Sequence, residues 1–208
     1  MMNTSIRLTE LEKDALKETA NIGAGNASAA LSRVIKRKIN LVVSNIDYVP
    51  LSTAGSCVLG PKKLVVGIYT SISKGLQGNL IAIFPVKNAL LLARTARRSR
   101  GKKTSVLTKA DEKALEKIGD VLSASYFASL GMFLGVKLRW KPARLVSTCG
   151  ESILDLLTLQ LDSAYHRALI VNTLFQVDLT PIKGELKLLL AVESLPPLLK
   201  SIQEKLVE

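Results

Sequence analysis

The sequence predicts an α+β protein: a pseudo-two-fold repeat of helix–strand–strand–strand–helix units sharing one sheet, with the two long opening helices packed on it. Three observations carry this expectation. Leu8-Thr9 recurs as Leu107-Thr108, an offset of 99 residues; at that fixed offset Leu16 aligns with Leu115, Ala29 with Ala128, Leu31 with Leu130, Lys38 with Lys137 and Ile39 with Leu138. Each copy opens on a capping-box pattern, Thr9 with Glu12 and Thr108 with Asp111, in which hydroxyl and acid satisfy orphan amides at a helix start. Further on, Gly78-Asn79-Leu80-Ile81-Ala82-Ile83-Phe84 resembles Gly184-Glu185-Leu186-Lys187-Leu188-Leu189-Leu190.

The elements follow in order. The first long helix leads into an extended stretch at 38–49, a strand at 64–69, the strand at 78–84 and a helix over 86–96. The second copy repeats this with an extended stretch at 137–146, strands at 168–174 and 184–190, and a helix over 196–206. The repeats, about 8–96 and 107–206, are joined by a basic connector at 93–104. Neither unit buries a sheet face well alone, so the strands are expected to merge and make residues 1–208 a single domain.

Composition narrows the function. Hydrophobic residues make up 48% and charged residues 22% of the 208, a composition that folds. The apolar runs, such as Leu188-Leu189-Leu190-Ala191-Val192, fall far short of the roughly 20 residues of a membrane span. The N-terminus lacks the basic and apolar regions of a secretory signal, so a cytoplasmic protein is expected. Cys57 and Cys149 have no CxxC spacing, and the single His166 leaves too few partners for a zinc site. The net charge of +12 raises the question of an acidic partner, but Arg94, Arg97, Arg98, Arg100, Lys102 and Lys103 crowd into the connector, where a solvated linker accounts for them. With 4% aromatic residues, stacking platforms for single-stranded nucleic acid are poorly supplied.

At 100° per residue, the first helix sorts Leu16, Ala20, Ala27, Ala30, Leu31 and Val34 onto one side. The other side carries Asp14, Glu18, Asn21, Gly25, Ser28 and Ser32, a narrow polar stripe whose side chains on successive turns reach one external object. A solvated face would read the same way. Against it stand Gly23 and Gly25, each costing about 1 kcal/mol relative to alanine inside a helix, a cost that close docking or helix packing would offset. Gly23-Ala24-Gly25 is not a dinucleotide loop: Ser28 stands at the third glycine position and the segment lies within a helix.

The stretch from Asp14 through Glu18 and Asn21 to the run Asn21-Ile22-Gly23-Ala24-Gly25-Asn26-Ala27 resembles the signature helix of the CheC/CheX/FliY phosphatases of chemotaxis, D/S-x3-E-x2-N-x22-P. The resemblance is greatest to CheC, itself two repeated halves in one sheet. It implies a phosphatase, a hydrolase of two-component signalling that removes the phosphoaspartate of the response regulator CheY. Glu18 is then implied to engage a basic residue of the regulator, and Asn21 to insert its amide and orient the attacking water, with Asp14 and Gly25 supporting them on the same face. Phosphoryl transfer asks for this kind of positioning rather than covalent help. No cofactor is implied for this chain; a magnesium ion is expected on the partner regulator.

Three departures follow. The motif's proline position is Ser44. In the second copy Lys113, Lys117 and Asp120 replace the acid, the glutamate and the asparagine, with Ala143 at the proline position and Pro142 one place early. A lysine repels the basic group that glutamate attracts, and an ionised aspartate cannot donate to water, so Lys117 and Asp120 form a degenerate second site. CheC proteins also bind the deamidase CheD through the region after the second signature helix; here that region is Ser147-Thr148-Cys149-Gly150-Glu151, which departs from the family's pattern. The alternative reading is a non-catalytic adaptor that binds a response regulator or CheD.

Overall fold

The computed structural model describes residues 9–50, 64–98, 105–149, 152–153 and 167–191. Helix α1 (Glu10–Ile35) is followed by strands β1 (Ile39–Pro50), β2 (Leu64–Lys74) and β3 (Gly78–Pro85) and helix α2 (Val86–Arg97). Then come α3 (Lys109–Leu134), β4 (Arg139–Trp140), β5 (Arg144–Cys149), β6 (Arg167–Val177) and β7 (Lys183–Ala191). Every strand pair is antiparallel, in one seven-stranded sheet ordered β1-β6-β7-β3-β2, with β4 and β5 both pairing with β2.

Exchanging β1, β2 and β3 for β5, β6 and β7 turns this order into its own reverse, which is the shared sheet that the repeat predicts. The two halves meet where β3 pairs with β7, Ile81 facing Lys187. With Gly78 matched to Gly184, these two residues are each other's counterparts, so the pseudo-two-fold axis passes through that pair.

Alternation along the strands sends Val66, Ile68, Ile72, Leu80, Ala82, Phe84, Leu169, Val171, Phe175, Leu186, Leu188 and Leu190 toward the three helices, where they form the main core. Val65, Ile81, Ile83, Ala168, Ile170 and Leu189 point the other way and pack with Ile153. Small residues let α1 and α3 lie close: Ala20, Ala24 and Ala27 are buried, Asn26 Nδ2 donates to Ser129 Oγ at 2.8 Å, and a β-carbon on Gly23 would sit 3.4 Å from the Tyr126 ring. The apolar side of α1 differs from its expected make-up at the end, where Ile35 is buried and Val34 is exposed. Closer still is the seat of α3 on the sheet. A β-carbon on Gly119 would fall 2.5 Å from Ile68 Cγ2 and 2.6 Å from the Ala143 β-carbon, distances that real atoms do not share.

Three boundaries differ from expectation. The stretch at 137–146 is not one strand but two, β4 and β5, because Pro142 has no N–H for the ladder and the Ala143 N–H leaves the sheet to donate to Asp120 Oδ1 at 2.8 Å. Helix α2 runs to Arg97 and closes on Arg98 in the left-handed conformation, so the first five residues of the expected connector are helical and Ala93 is buried. Arg97 is not a solvated linker charge: its guanidinium donates to Asp111 Oδ1 at 2.6 Å. The helix expected over 196–206 lies outside the described residues, as does the Glu12 side chain of the first capping box.

The second capping box forms as read. Asp111 N–H donates to Thr108 Oγ1 at 3.2 Å, and Thr108 N–H donates to Asp111 Oδ2 at 3.0 Å. Burial pushes the Asp111 carboxyl up, but the Thr108 hydroxyl and amide and the Arg97 guanidinium outweigh it and hold the group below its ordinary value. A carboxyl lowered on folding contributes stability above its unfolded pKa of about 4, and that stability is lost as pH falls through the folded value. Between about pH 5 and pH 2 the wild type is therefore expected to lose stability more steeply than Asp111→Asn, as followed by denaturant unfolding at each pH; parallel profiles would contradict the assignment. Gly119→Ala is expected to destabilise by about 1–3 kcal/mol through overpacking, read from the urea midpoint.

Candidate functional site

The expected stripe divides into two parts with different jobs. Ser28 and Ser32, expected to share the functional face, instead fasten the end of α1 to the start of β1. The Ser28 hydroxyl donates to the Ile39 carbonyl, and Ile39 N–H donates to Ser32 Oγ at 2.9 Å. Helix α1 ends there, with Lys36 in the left-handed conformation. The structure therefore narrows the free part of the stripe to Asp14, Glu18, Asn21 and Gly25.

These four are exposed, and among the described residues Asp14, Glu18 and Asn21 make no hydrogen bond or ion pair. Glu18 and Asn21 stand at i and i+3, one turn apart on a regular helix, so carboxylate and amide project side by side. The face is convex. Concavities of about 830, 280, 460 and 430 Å³, lined respectively by residues such as Tyr69 and Arg144, Asn45 and Lys187, Arg37 and Arg98, and Met132 and Trp140, all lie away from it. A small substrate needs a concave site to bury most of its surface. An exposed helix face instead suits a reacting group brought by another macromolecule. Among the described residues no three His, Cys, Asp or Glu side chains cluster as metal ligands.

The second copy is built differently at the same positions. Lys113 and Lys117 are exposed on α3, but Asp120 is spent: its Oδ1 accepts the Ala143 N–H at 2.8 Å. Asn21 makes no such bond to Ser44, which stands at the matching distance of 23 residues. Ser44 occupies a β-bulge instead, since Val43 faces Thr173 and Asn45 faces Asn172, leaving Ser44 unmatched in the ladder. The bulge flips the alternation, so that Ile39, Leu41 and Val43 before it and Ile46 and Tyr48 after it all reach the helix-side core. A bulge tolerates proline because no ladder bond is lost there. Serine is tolerated for the same reason, its hydroxyl donating to the Asn172 carbonyl at 3.1 Å.

Sequence reading passed over two features. Ile22, beside Asn21, is 44% exposed, an apolar side chain on the candidate face whose only signal was its place next to the polar stripe. On the sheet face away from the helices, Lys187 is 4% exposed, donates to Asn172 Oδ1 at 2.6 Å and lies 3.2 Å from Glu185, while Asn172 donates to Asp47 at 2.7 Å. Each member of that network has a partner, so it reads as buried structure. Its signal was a charge at the centre of Leu186-Lys187-Leu188.

The CheC-like family model matches residues 11–43, which is α1 and the beginning of β1. The flagellar motor switch phosphatase FliY of Bacillus subtilis (strain 168) is 26% identical over 86 residues, 41% of this chain; the match spans 22% of that protein's length. The fold is that of Thermotoga maritima FliY, with a TM-score of 0.78 at 18% identity over 96% of this chain and 100% of that one. A chain of the FliG–FliM complex from H. pylori also shares it, with a TM-score of 0.63 at 9% identity over 93% and 100%. Over its first helix the chain is similar to the CheC-like family, and its fold is shared by FliY and FliM structures.

The two aligned polar residues are expected to respond oppositely to truncation. Asp120→Ala removes a charged acceptor from a backbone N–H beside the buried Ala143 and should cost about 1.5–3 kcal/mol. Asn21→Ala removes an exposed side chain from a helix interior and should leave stability unchanged or raise it by a few tenths of a kcal/mol. Chemical denaturation of both variants tests this; a large loss with Asn21→Ala would mean that the asparagine is structural.

Proposed function

We propose that this chain is a phosphatase of a phosphorylated response regulator of the CheY type, acting through the single face formed by Glu18 and Asn21. The observation that carries the reading is a carboxylate and an amide, without partners among the described residues, one turn apart on an exposed helix face of CheC-like sequence. The name of the FliY relative, a motor switch phosphatase, points the same way.

In this mechanism the substrate is the acyl phosphate of an aspartate on the regulator's surface. Water attacks phosphorus in line, the P–O bond to the aspartate carboxyl breaks, and aspartate and inorganic phosphate are released. The Asn21 amide carbonyl accepts from the attacking water while its NH2 group donates to oxygens beside it, which fixes the water on the reaction axis. Glu18, one turn earlier, pairs with a basic group of the regulator and sets the register in which Asn21 enters. Asp14, a turn before that, adds negative charge to the same end of the face. The magnesium ion belongs to the regulator in this scheme. The α3 face takes no part, because Lys117 repels the same basic group and Asp120 is held by Ala143.

A second reading, an adaptor that binds a regulator or CheD without hydrolysing it, draws on the tied-up second copy and on the presence of the fold in a FliG–FliM complex. Decay of CheY phosphate separates the two. The wild type is expected to accelerate decay, Asn21→Ala to lower that acceleration by about 100-fold through loss of water positioning, and Asp120→Ala to leave it intact below its unfolding temperature. Binding without acceleration by the wild type would favour the adaptor.

A further inference from the structure

The sheet face away from the helices carries one surface twice, and the two copies are finished differently. Tyr69 pairs with Ile81, and Asn172 pairs with Lys187; since Ile81 and Lys187 are counterparts, Tyr69 and Asn172 are too. On the next strand out Arg144 faces Tyr69 as Asn45 faces Asn172. Around Asn172 the surface is closed: Lys187 bonds Asn172 and pairs with Glu185, Asn172 donates to Asp47, and the hollow left is 280 Å³. Around Tyr69 the residue in the place of Lys187 is Ile81, which packs into the apolar cluster with Val65 and Ile83. The cleft beside it measures 830 Å³.

The break between β4 and β5 shapes the lip of that cleft. Lys141 N–H donates to the Ser71 carbonyl at 2.9 Å, and the Thr70 hydroxyl donates to the Lys141 carbonyl, so the main chain is pinned to β2 there. Lys141 and Arg144 are both exposed, and among the described residues neither side chain has a hydrogen bond or ion pair. Tyr69, Ser71 and Asn79 share the same face as cross-strand neighbours and line the cleft with them. No Asp or Glu among the described residues lines it. Two cations without a counter-charge thus stand over a floor of hydroxyls and a carboxamide.

We propose that this cleft binds a phosphorylated small molecule of nucleotide or sugar-phosphate size. Its volume lies within the range of small-molecule sites. The phosphate sits between the Lys141 ammonium and the Arg144 guanidinium, whose planar fork matches two phosphate oxygens. The hydroxylated body lies along Tyr69, Ser71 and Asn79, which supply both donors and acceptors. Two cations over a bounded hollow suit one phosphate group, whereas a nucleic-acid backbone is met by a row of them. None of the lining residues lies on α1, so the site is independent of the phosphatase reading.

The test titrates the full chain with AMP, fructose bisphosphate, inorganic phosphate and sulfate by calorimetry, with adenosine and fructose as uncharged controls. At least one of AMP and fructose bisphosphate is expected to bind about tenfold or more tightly than phosphate, sulfate or its own uncharged form; which one binds tells a nucleoside body from a sugar. Arg144→Gln should keep the thermal midpoint and weaken that binding by about tenfold or more, as loss of a charge-assisted pair does. Asn21→Ala should bind as the wild type does. Failure of both phosphorylated probes to bind, or binding undiminished in Arg144→Gln, would overturn the proposal. Equal weak binding of the probes, phosphate and sulfate would mark a general anion effect and overturn it as well. Loss of binding in Asn21→Ala would place the phosphate on α1 and not in this cleft.

Discussion

The antiparallel pairing of β3 with β7 is the contact on which the rest of the molecule depends. It sets Ile81 against its own counterpart Lys187 and so joins two similar halves into one sheet with a single helix-covered face. Once the sheet is continuous, α1 and α3 must share that face and bury their apolar sides against it and each other. The packing consumes Ala20, Ala24 and Ala27 on one helix and Leu115, Ile118, Leu122 and Tyr126 on the other. Among the residues that remain outward on α1 are Asp14, Glu18, Asn21 and Gly25, with the apolar Ile22 beside them.

The two halves match in strand order and differ in chemistry at matching positions. At the position of Asn21, α3 carries an aspartate that accepts a backbone N–H next to the break between β4 and β5. The carboxylate stabilises the path of the chain around Pro142. On α1 the matching strand position is a bulge, Ser44 finds its own partner on β6, and Asn21 stays free. One exchange of asparagine for aspartate thus separates a residue that holds the fold from one that is available to a partner.

Much of the fold was legible because it rests on local rules. Periodicity and a fixed offset located the long helices, Thr108 and Asp111 marked the start of α3, and alternation with flanking glycines marked β3 and β7. The misses came from contacts between distant segments. Nothing local says that Arg97 turns back to Asp111 rather than to solvent, that Ser28 and Ser32 reach Ile39, or that Ala143 abandons the ladder for Asp120. For the same reason the polar stripe looked longer than its free part, since a serine on an outward face and a serine bonded to the next strand have the same spacing. That Glu18 and Asn21 stand outward was legible because helix geometry alone supplies it.

The central claim is that a phosphorylated regulator meets this molecule on α1 at Asn21 and not on α3. Nuclear magnetic resonance of the chain with side-chain amides labelled, titrated with a beryllofluoride-activated CheY receiver domain, addresses it directly. The account predicts that the Asn21 side-chain amide and the backbone signals from Glu18 to Gly25 shift or broaden while those around Lys117 and Asp120 stay in place. Perturbation centred on α3, or confined to the sheet face around Lys187, would contradict it.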